Sequence, residues 1–181
     1  MRGICFGAAP LAAILAVLAG TSGASAHATL QPREAVAGGY VQAALTVPHG
    51  CAGSATIAVR VKIADGILSV KPQMKPGWSV EIKKRKLDKP QQGSHGETVT
   101  EVADEVIWRG GPLPDHLYDT FGLVMKLPDT PDQTLYFPAV QECEQGVARW
   151  IEIPSGSRKA SDLREPAPKI RLVPKTTPSA P

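Results

Sequence analysis

The chain has 181 residues, enough for one domain with short additional segments. Hydrophobic residues make up 43% and charged residues 20%, which is typical of a globular protein. The formal net charge of +3 is spread along the sequence, and no basic stripe alternates with aromatic residues, so we expect no nucleic-acid partner.

The first 26 residues have the pattern of a secretory signal peptide. Arg2 supplies a positive charge, residues 4–18 are apolar, and Ala24-Ser25-Ala26 is a small-residue cleavage site. The apolar run is short for a membrane span, and no second one follows, so we expect no membrane anchor. These features predict cleavage after Ala26, a mature chain that begins at His27, and a periplasmic or secreted location.

Export changes how the three cysteines are interpreted. Cys5 lies in the discarded segment, which leaves Cys51 and Cys143 in an oxidising compartment, where two thiols most often form a disulfide. In the chain-entropy model, a bridge across a separation of 92 residues stabilises the fold by roughly 4–5 kcal/mol. The alternative is a pair of copper(I) ligands, which is less favoured because no methionine-rich segment accompanies the pair.

Alternation of apolar and polar residues predicts short strands along the mature chain. The clearest is at residues 56–63, where alternate residues from Ile57 to Ile63 share one face and Arg60 lies on the other. In chain order the predicted strands are at residues 41–47, 56–63, 67–70, 78–86, 99–108, 121–127, 135–141 and 147–153, with weaker patterns at 67–70 and 99–108. No segment has a clear 3.6-residue period.

Gly- and Pro-rich turns separate these strands, which is typical of an antiparallel sandwich or a Greek-key barrel. The polar, basic residues 83–96 are expected to form a long hairpin loop. We predict one β-sandwich domain over residues 27–154. Residues 155–181 are rich in Pro, Ser and Lys and are expected to form a flexible tail with a candidate short strand at 170–173.

His27 is the residue with the most specific chemistry. A histidine at a mature N-terminus offers its α-amine and its imidazole Nδ1 to one metal ion, in a six-membered chelate ring. Copper(II) favours such nitrogen ligands and stands highest in the divalent affinity order. An internal histidine lacks this option because its nitrogen is an amide, so the hypothesis depends on the cleavage site.

Three further side chains are candidates for the same site. Trp150 lies on the parity opposite to Val147 and Ile151, so we expect this large aromatic ring on the polar face, under a loop or at a binding site. His49, beside Cys51, is a candidate third copper ligand. The carboxylates Glu142 and Glu144, next to Cys143, are candidate oxygen ligands, whereas His95 and His116 are expected at the surface.

An ordered set of short segments resembles the YcnI-like family, a domain family of unknown function. The match runs from about residue 27 to 154, and Trp150 follows the last of the segments. They are His27-Ala-Thr-Leu-Gln-Pro32, Ala37-Gly-Gly-Tyr40, Val47-Pro48, Lys75-Pro-Gly-Trp78, Ile107-Trp-Arg-Gly110, Phe121-Gly-Leu-Val-Met-Lys-Leu-Pro128 and Leu135-Tyr-Phe-Pro-Ala-Val-Gln141.

The resemblance implies a Greek-key β-sandwich of cupredoxin- or immunoglobulin-like character. It also implies one copper(II) ion in a mono-histidine brace, with a glutamate assisting and a tryptophan beside the metal. His27 matches the brace histidine, and Trp150 is the best match for the tryptophan. The chain departs from the family at the glutamate, because His49-Gly50 follows Val47-Pro48 where an acidic residue is expected. Either His49 replaces it, or Glu142 or another acid does, or the site is weaker.

The function predicted from these observations is a non-enzymatic copper protein of the periplasm. It would take part in copper homeostasis by buffering copper(II) or passing it to other copper proteins. One alternative is a copper-dependent oxidative enzyme with a full brace of His27 and His49. The other is a metal-free β-sandwich that recognises another exported protein.

Overall fold

The computed structural model describes residues 27–175. The expected signal peptide at residues 1–26 with its cleavage site and Cys5, and residues 176–181 of the expected tail, lie outside the described residues. The described part contains twelve strands and one turn of 3-10 helix (Ala160–Asp162). The strands are β1 (Thr29–Gln31), β2 (Glu34–Val36), β3 (Tyr40–Val47), β4 (Thr56–Lys62), β5 (Ser69–Pro72), β6 (Trp78–Gln92), β7 (Thr98–Leu113), β8 (Asp119–Lys126), β9 (Thr134–Tyr136), β10 (Ala139–Cys143), β11 (Val147–Trp150) and β12 (Lys169–Val173).

The strands form three sheets, which confirms the all-β, largely antiparallel sandwich. A four-stranded sheet has the order β1-β3-β8-β5, and a five-stranded sheet has the order β11-β10-β4-β7-β6. A third sheet, β2-β12-β9, pairs β12 in parallel with β2 and antiparallel with β9.

The hydrophobic core is built by inward side chains of the four- and five-stranded sheets. Phe121 on β8 meets Trp108 on β7 with ring centroids 5.4 Å apart, and Trp78 on β6 at 5.1 Å. Both are edge-to-face contacts, which are favourable for aromatic pairs. Leu45 on β3 and Val59 on β4 belong to the same buried cluster.

The expected long loop at residues 83–96 is wrong, because most of it is strand. β6 continues to Gln92 and β7 begins at Thr98, so the turn between them is short. Basic residues of β6 pair with acidic residues of β7, for example Lys83 Nζ with Glu105 at 3.3 Å. Opposite charges on neighbouring strands stabilise this exposed two-stranded ribbon. Because the ribbon has little apolar alternation, the sequence pattern did not indicate a strand there.

The alternation predicted for residues 56–63 holds for Val59, Val61 and Ile63, which are buried, but not for Ile57. The pairing of β4 with β7 shifts register between Thr56 and Ala58. Such an irregularity changes the side-chain alternation, so Thr56 and Ala58 are buried while Ile57 is 39% exposed.

Residues 155–175, expected as part of a flexible tail with a short strand, are attached to the sandwich. Residues 155–168, here called the C-terminal strap, lead into β12, whose Ile170 and Leu172 are fully buried. The candidate strand at 170–173 is therefore confirmed as part of β12. The packed fold continues past the boundary expected at residue 154.

Candidate metal centre

The imidazole of His27 is hydrogen-bonded to the C-terminal strap. His27 precedes β1 and is exposed, and its Nε2 lies 3.0 Å from the carbonyl oxygen of Arg164. A carbonyl oxygen only accepts, so this bond requires a proton on Nε2. In the neutral ring the lone pair is then on Nδ1, the nitrogen that closes a chelate ring with an α-amine of the same residue.

Trp150 contacts His27 from the inside of the sandwich. Its indole is 3% exposed, and the two ring centroids are 5.7 Å apart at an interplanar angle of 79°. The expected placement of Trp150 on the polar face is therefore wrong. In β10–β11 pairing, Trp150 lies opposite the buried Ala139. Residues directly opposite each other point to the same face, so Trp150 points into the core.

Gln141 on β10 is a buried polar residue of the site that sequence reasoning missed. Its Nε2 donates to the His49 carbonyl oxygen at 2.6 Å and to Thr56 Oγ1 at 2.8 Å. Its Oε1 accepts a longer bond from Trp150 Nε1 at 3.5 Å. Gln141 therefore connects Trp150 to the backbone of the loop that carries His49. A polar residue on the apolar parity of a strand was the available signal.

His49 lies in the loop that follows β3. Its Nδ1 is 2.6 Å from the carbonyl oxygen of Gly50, which again requires an N–H donor, so Nε2 is the nitrogen that would have to bind a metal. Thr46 pairs with Thr29 in the ladder of β3 and β1. The end of β3, from which the His49 loop leads, therefore lies beside the start of β1.

The disulfide between Cys51 and Cys143 is confirmed, with an S–S distance of 2.07 Å. It fastens the loop after β3 to the end of β10, close in sequence to both His49 and Gln141. A disulfide is typical of proteins in oxidising compartments, and this one fits an extracytoplasmic protein.

Glu142 is not brought together with His27 and Trp150. Its side chain alternates with that of Gln141 and lies on the outer face of the five-stranded sheet, where it contacts Arg60 at 3.3 Å and Arg109 at 3.4 Å. The hydrogen bonds that Arg60 donates to Glu105 and Glu142 raise the pKa of its guanidinium. Among the other candidates, Glu144 is exposed, and His95 and His116 are exposed as expected.

Among residues 27–175, no three His, Cys, Asp or Glu side chains form a cluster that could hold a metal ion. A brace at a free N-terminus needs no such cluster, because one residue supplies two nitrogens. The donor set around His27 fits that chemistry in one respect: the Arg164 carbonyl engages Nε2 and leaves Nδ1 for a metal.

The family model described as "Domain of unknown function (DUF1775)" matches residues 27–172. The chain belongs to the DUF1775 family. YcnI-like proteins are members of it, so the resemblance found in the sequence is confirmed. The match begins at His27 and ends at Leu172, within β12.

The DUF1775 domain is similar in fold to an uncharacterized Nocardia farcinica protein whose crystal structure reveals an immunoglobulin-like fold. The two are 24% identical, with a TM-score of 0.61, over 81% of this chain and 98% of that one. A DUF4466 family protein from Parabacteroides merdae is 11% identical, with a TM-score of 0.34 over 72% of this chain and 45% of its own. No functionally curated protein matches the chain.

In this DUF1775 domain, Glu152 attaches the C-terminal strap beside the site. Its Oε2 accepts the backbone N–H groups of Arg164 at 2.7 Å and Glu165 at 2.8 Å, and its Oε1 accepts from Arg158 at 2.7 Å. The Glu165 N–H, the Arg158 guanidinium and the Arg164 N–H lower the pKa of Glu152 to about 2, because they stabilise its charged form.

His27 also lines a groove of about 460 Å³ between the start of β1, the strap and β12. Apolar residues such as Leu30, Pro166 and Ala167 form much of its wall, and Arg33 and Lys169 are also among its lining residues. The imidazole therefore lies at an open surface that a small ion can reach. Within residues 27–175, none of the helical structure is long and apolar enough to cross a bilayer.

Proposed function

We propose that this DUF1775 protein is an exported, non-enzymatic copper(II)-binding protein of the mono-histidine-brace type. It binds one ion through the α-amine and Nδ1 of His27 and takes part in periplasmic copper homeostasis, as a buffer or as a metallochaperone for other copper proteins. The observation that carries the proposal is the hydrogen bond from His27 Nε2 to the Arg164 carbonyl, next to the edge-to-face contact with Trp150.

Two features of the residues support this function. The expected cleavage site ends at Ala26, so processing would convert the amide nitrogen of His27 into an amine directly beside Nδ1. The ordinary pKa of an α-amine is about 7.7–8.0, so a metal displaces its proton at little cost near neutral pH.

The remaining coordination positions would be filled by donors other than Glu142. Glu142 is paired with two arginines on the other side of the sheet, and freeing it would leave both guanidinium groups without that partner. His49 Nε2 is the side-chain candidate for a third ligand, with water as the alternative. Trp150 would shield one side of the imidazole from water, since its indole is buried against it.

The test is a copper(II) titration of two matched proteins by calorimetry and electron paramagnetic resonance. One begins at His27 and the other retains Ala26 before it, so they differ only in whether the His27 nitrogen is an amine. We expect a 1:1 complex with nitrogen hyperfine structure in the first protein and loss of tight binding in the second. Equal affinity in both would contradict the brace, and no binding in either would favour a metal-free interaction module.

A further inference from the structure

Residues 150–152 take part in both contacts to the His27 ring, one directly and one through the strap. Trp150, at the end of β11, meets the ring itself. Glu152, two residues later, accepts the backbone N–H groups of Arg164 and Glu165. The carbonyl of Arg164, in that same turn of the strap, accepts the proton of His27 Nε2. The Glu152 carboxylate therefore binds the backbone N–H of Arg164, the same residue whose carbonyl oxygen accepts from His27 Nε2.

The attachment of the strap at this point is local and polar. The backbone of Glu152 pairs with that of Glu165 and Ala167, at 3.0 and 2.8 Å. The residues from 155 to 162 that lead into this turn are mostly exposed. Leu163 and Ala167, on either side of the 164–165 turn, are buried. Between them the Glu152 carboxylate accepts both backbone N–H groups of the turn, and so it helps to fix the direction of the Arg164 carbonyl.

We propose that Glu152 is a positioning residue for the His27 site. Through the 164–165 turn it holds the Arg164 carbonyl against Nε2–H, which keeps the imidazole in the tautomer and orientation that present Nδ1 as a ligand. The expected change in copper affinity rests on the proposed function. The effect on the tautomer of the His27 ring does not, because it can be measured in the metal-free protein. Groups that orient a ligating histidine in this way typically change metal affinity 10–100-fold when they are removed.

The variants follow from the geometry of the carboxylate. Glu152→Ala removes the acceptor for both strap amides. Glu152→Gln keeps one oxygen, and Oε2 alone accepts both amides in the wild type, so the glutamine should restore most of the effect. Glu81→Ala removes an exposed glutamate from β6 and is the matched control. All proteins begin at His27 and extend to Pro181.

The first readout is the ¹⁵N spectrum of the metal-free His27 ring at alkaline pH, where histidine rings are neutral. We expect only the Nε2–H tautomer in the wild type, in Glu81→Ala and largely in Glu152→Gln, and a mixture of tautomers in Glu152→Ala. The second readout is the copper(II) dissociation constant, which we expect to rise about 10-fold in Glu152→Ala and little in Glu152→Gln.

Two results would overturn the inference: an Nδ1–H tautomer in the wild-type protein, or a wild-type tautomer and wild-type copper affinity in Glu152→Ala. The first of these needs no variant, so the inference can be overturned even if Glu152→Ala fails to fold. A tautomer that changes in Glu152→Ala, in a wild-type protein that binds no copper, would support the positioning role and contradict the proposed function instead.

Discussion

The indole of Trp150 makes contacts on two sides, and both depend on the direction in which this side chain points. Its ring meets the imidazole of His27 edge to face, and its Nε1–H points to the buried amide of Gln141. Aromatic pairs of this geometry contribute about 0.5–1.5 kcal/mol beyond the burial of their surface. The sequence drew attention to Trp150 but gave the wrong face, because the register with Ala139 decides its direction.

Replacing Trp150 by phenylalanine should remove most of the fluorescence quenching caused by bound copper(II). Copper quenches the nearest indole most strongly, and Trp150 is in contact with His27 whereas Trp78 packs against Phe121 in the core. A fluorescence titration checks this, with Trp78→Phe as the control that keeps the quenching. Unchanged quenching in Trp150→Phe would contradict a copper site at His27.

Replacing Gln141 by leucine should destabilise the fold by about 1–3 kcal/mol, because the His49 carbonyl loses the donor that contacts it at 2.6 Å. Urea unfolding measures the loss, and Gln91→Leu on the exposed part of β6 is the matched control. Equal stability of the two variants would show that the Gln141 network contributes nothing net.

In β11 and the residues after it, the apolar alternation of the sequence does not match the buried face. Val147, Ile151 and Ile153 made the larger apolar set, yet all three are at least 40% exposed. β11 ends at Trp150, so Ile151 and Ile153 do not continue its alternation. After Trp150 the backbone of Glu152 pairs with the strap at Pro166. The alternation of neighbouring residues carries no information about such a partner.

The attachment of the strap should depend on acid pH. The folded pKa of Glu152 is about 2 against an ordinary value of 4.5. A lowered carboxyl pKa gives a stabilisation that is fully present above about pH 4.5 and is lost as the pH falls towards 2. The amide proton shifts of Arg164 and Glu165 in NMR spectra should titrate with a midpoint near 2. A midpoint near 4.5 would contradict the hydrogen bonds of the carboxylate.

The β-sandwich and its disulfide could be predicted from the sequence, but the third sheet could not. Alternation identified the main strands, and export predicted the bridge between Cys51 and Cys143. The third sheet joins β2, β9 and β12, three short strands from distant parts of the chain. Strands this short leave little periodicity, and the proline-rich strap before β12 resembled a disordered tail.

Ending the protein at residue 154 should therefore prevent cooperative folding. Removing β12 exposes the surface that Ile170 and Leu172 cover and leaves β2 and β9 without their common partner. Loss of a single large buried side chain costs about 2–5 kcal/mol, and a domain has only about 5–15 kcal/mol in total. Thermal unfolding of residues 27–154 against 27–175 checks this. A similar cooperative transition in both would mean that β12 is dispensable.

The copper function proposed for His27 requires that processing frees its α-amine. Native mass spectrometry of the untagged protein, purified from the compartment to which a cell exports it, measures both the N-terminus and the bound metal. We expect a chain that starts at His27, with the intact disulfide and one copper ion. A chain that starts at any other residue, or one that starts at His27 and takes up no copper(II) when it is supplied, would contradict it.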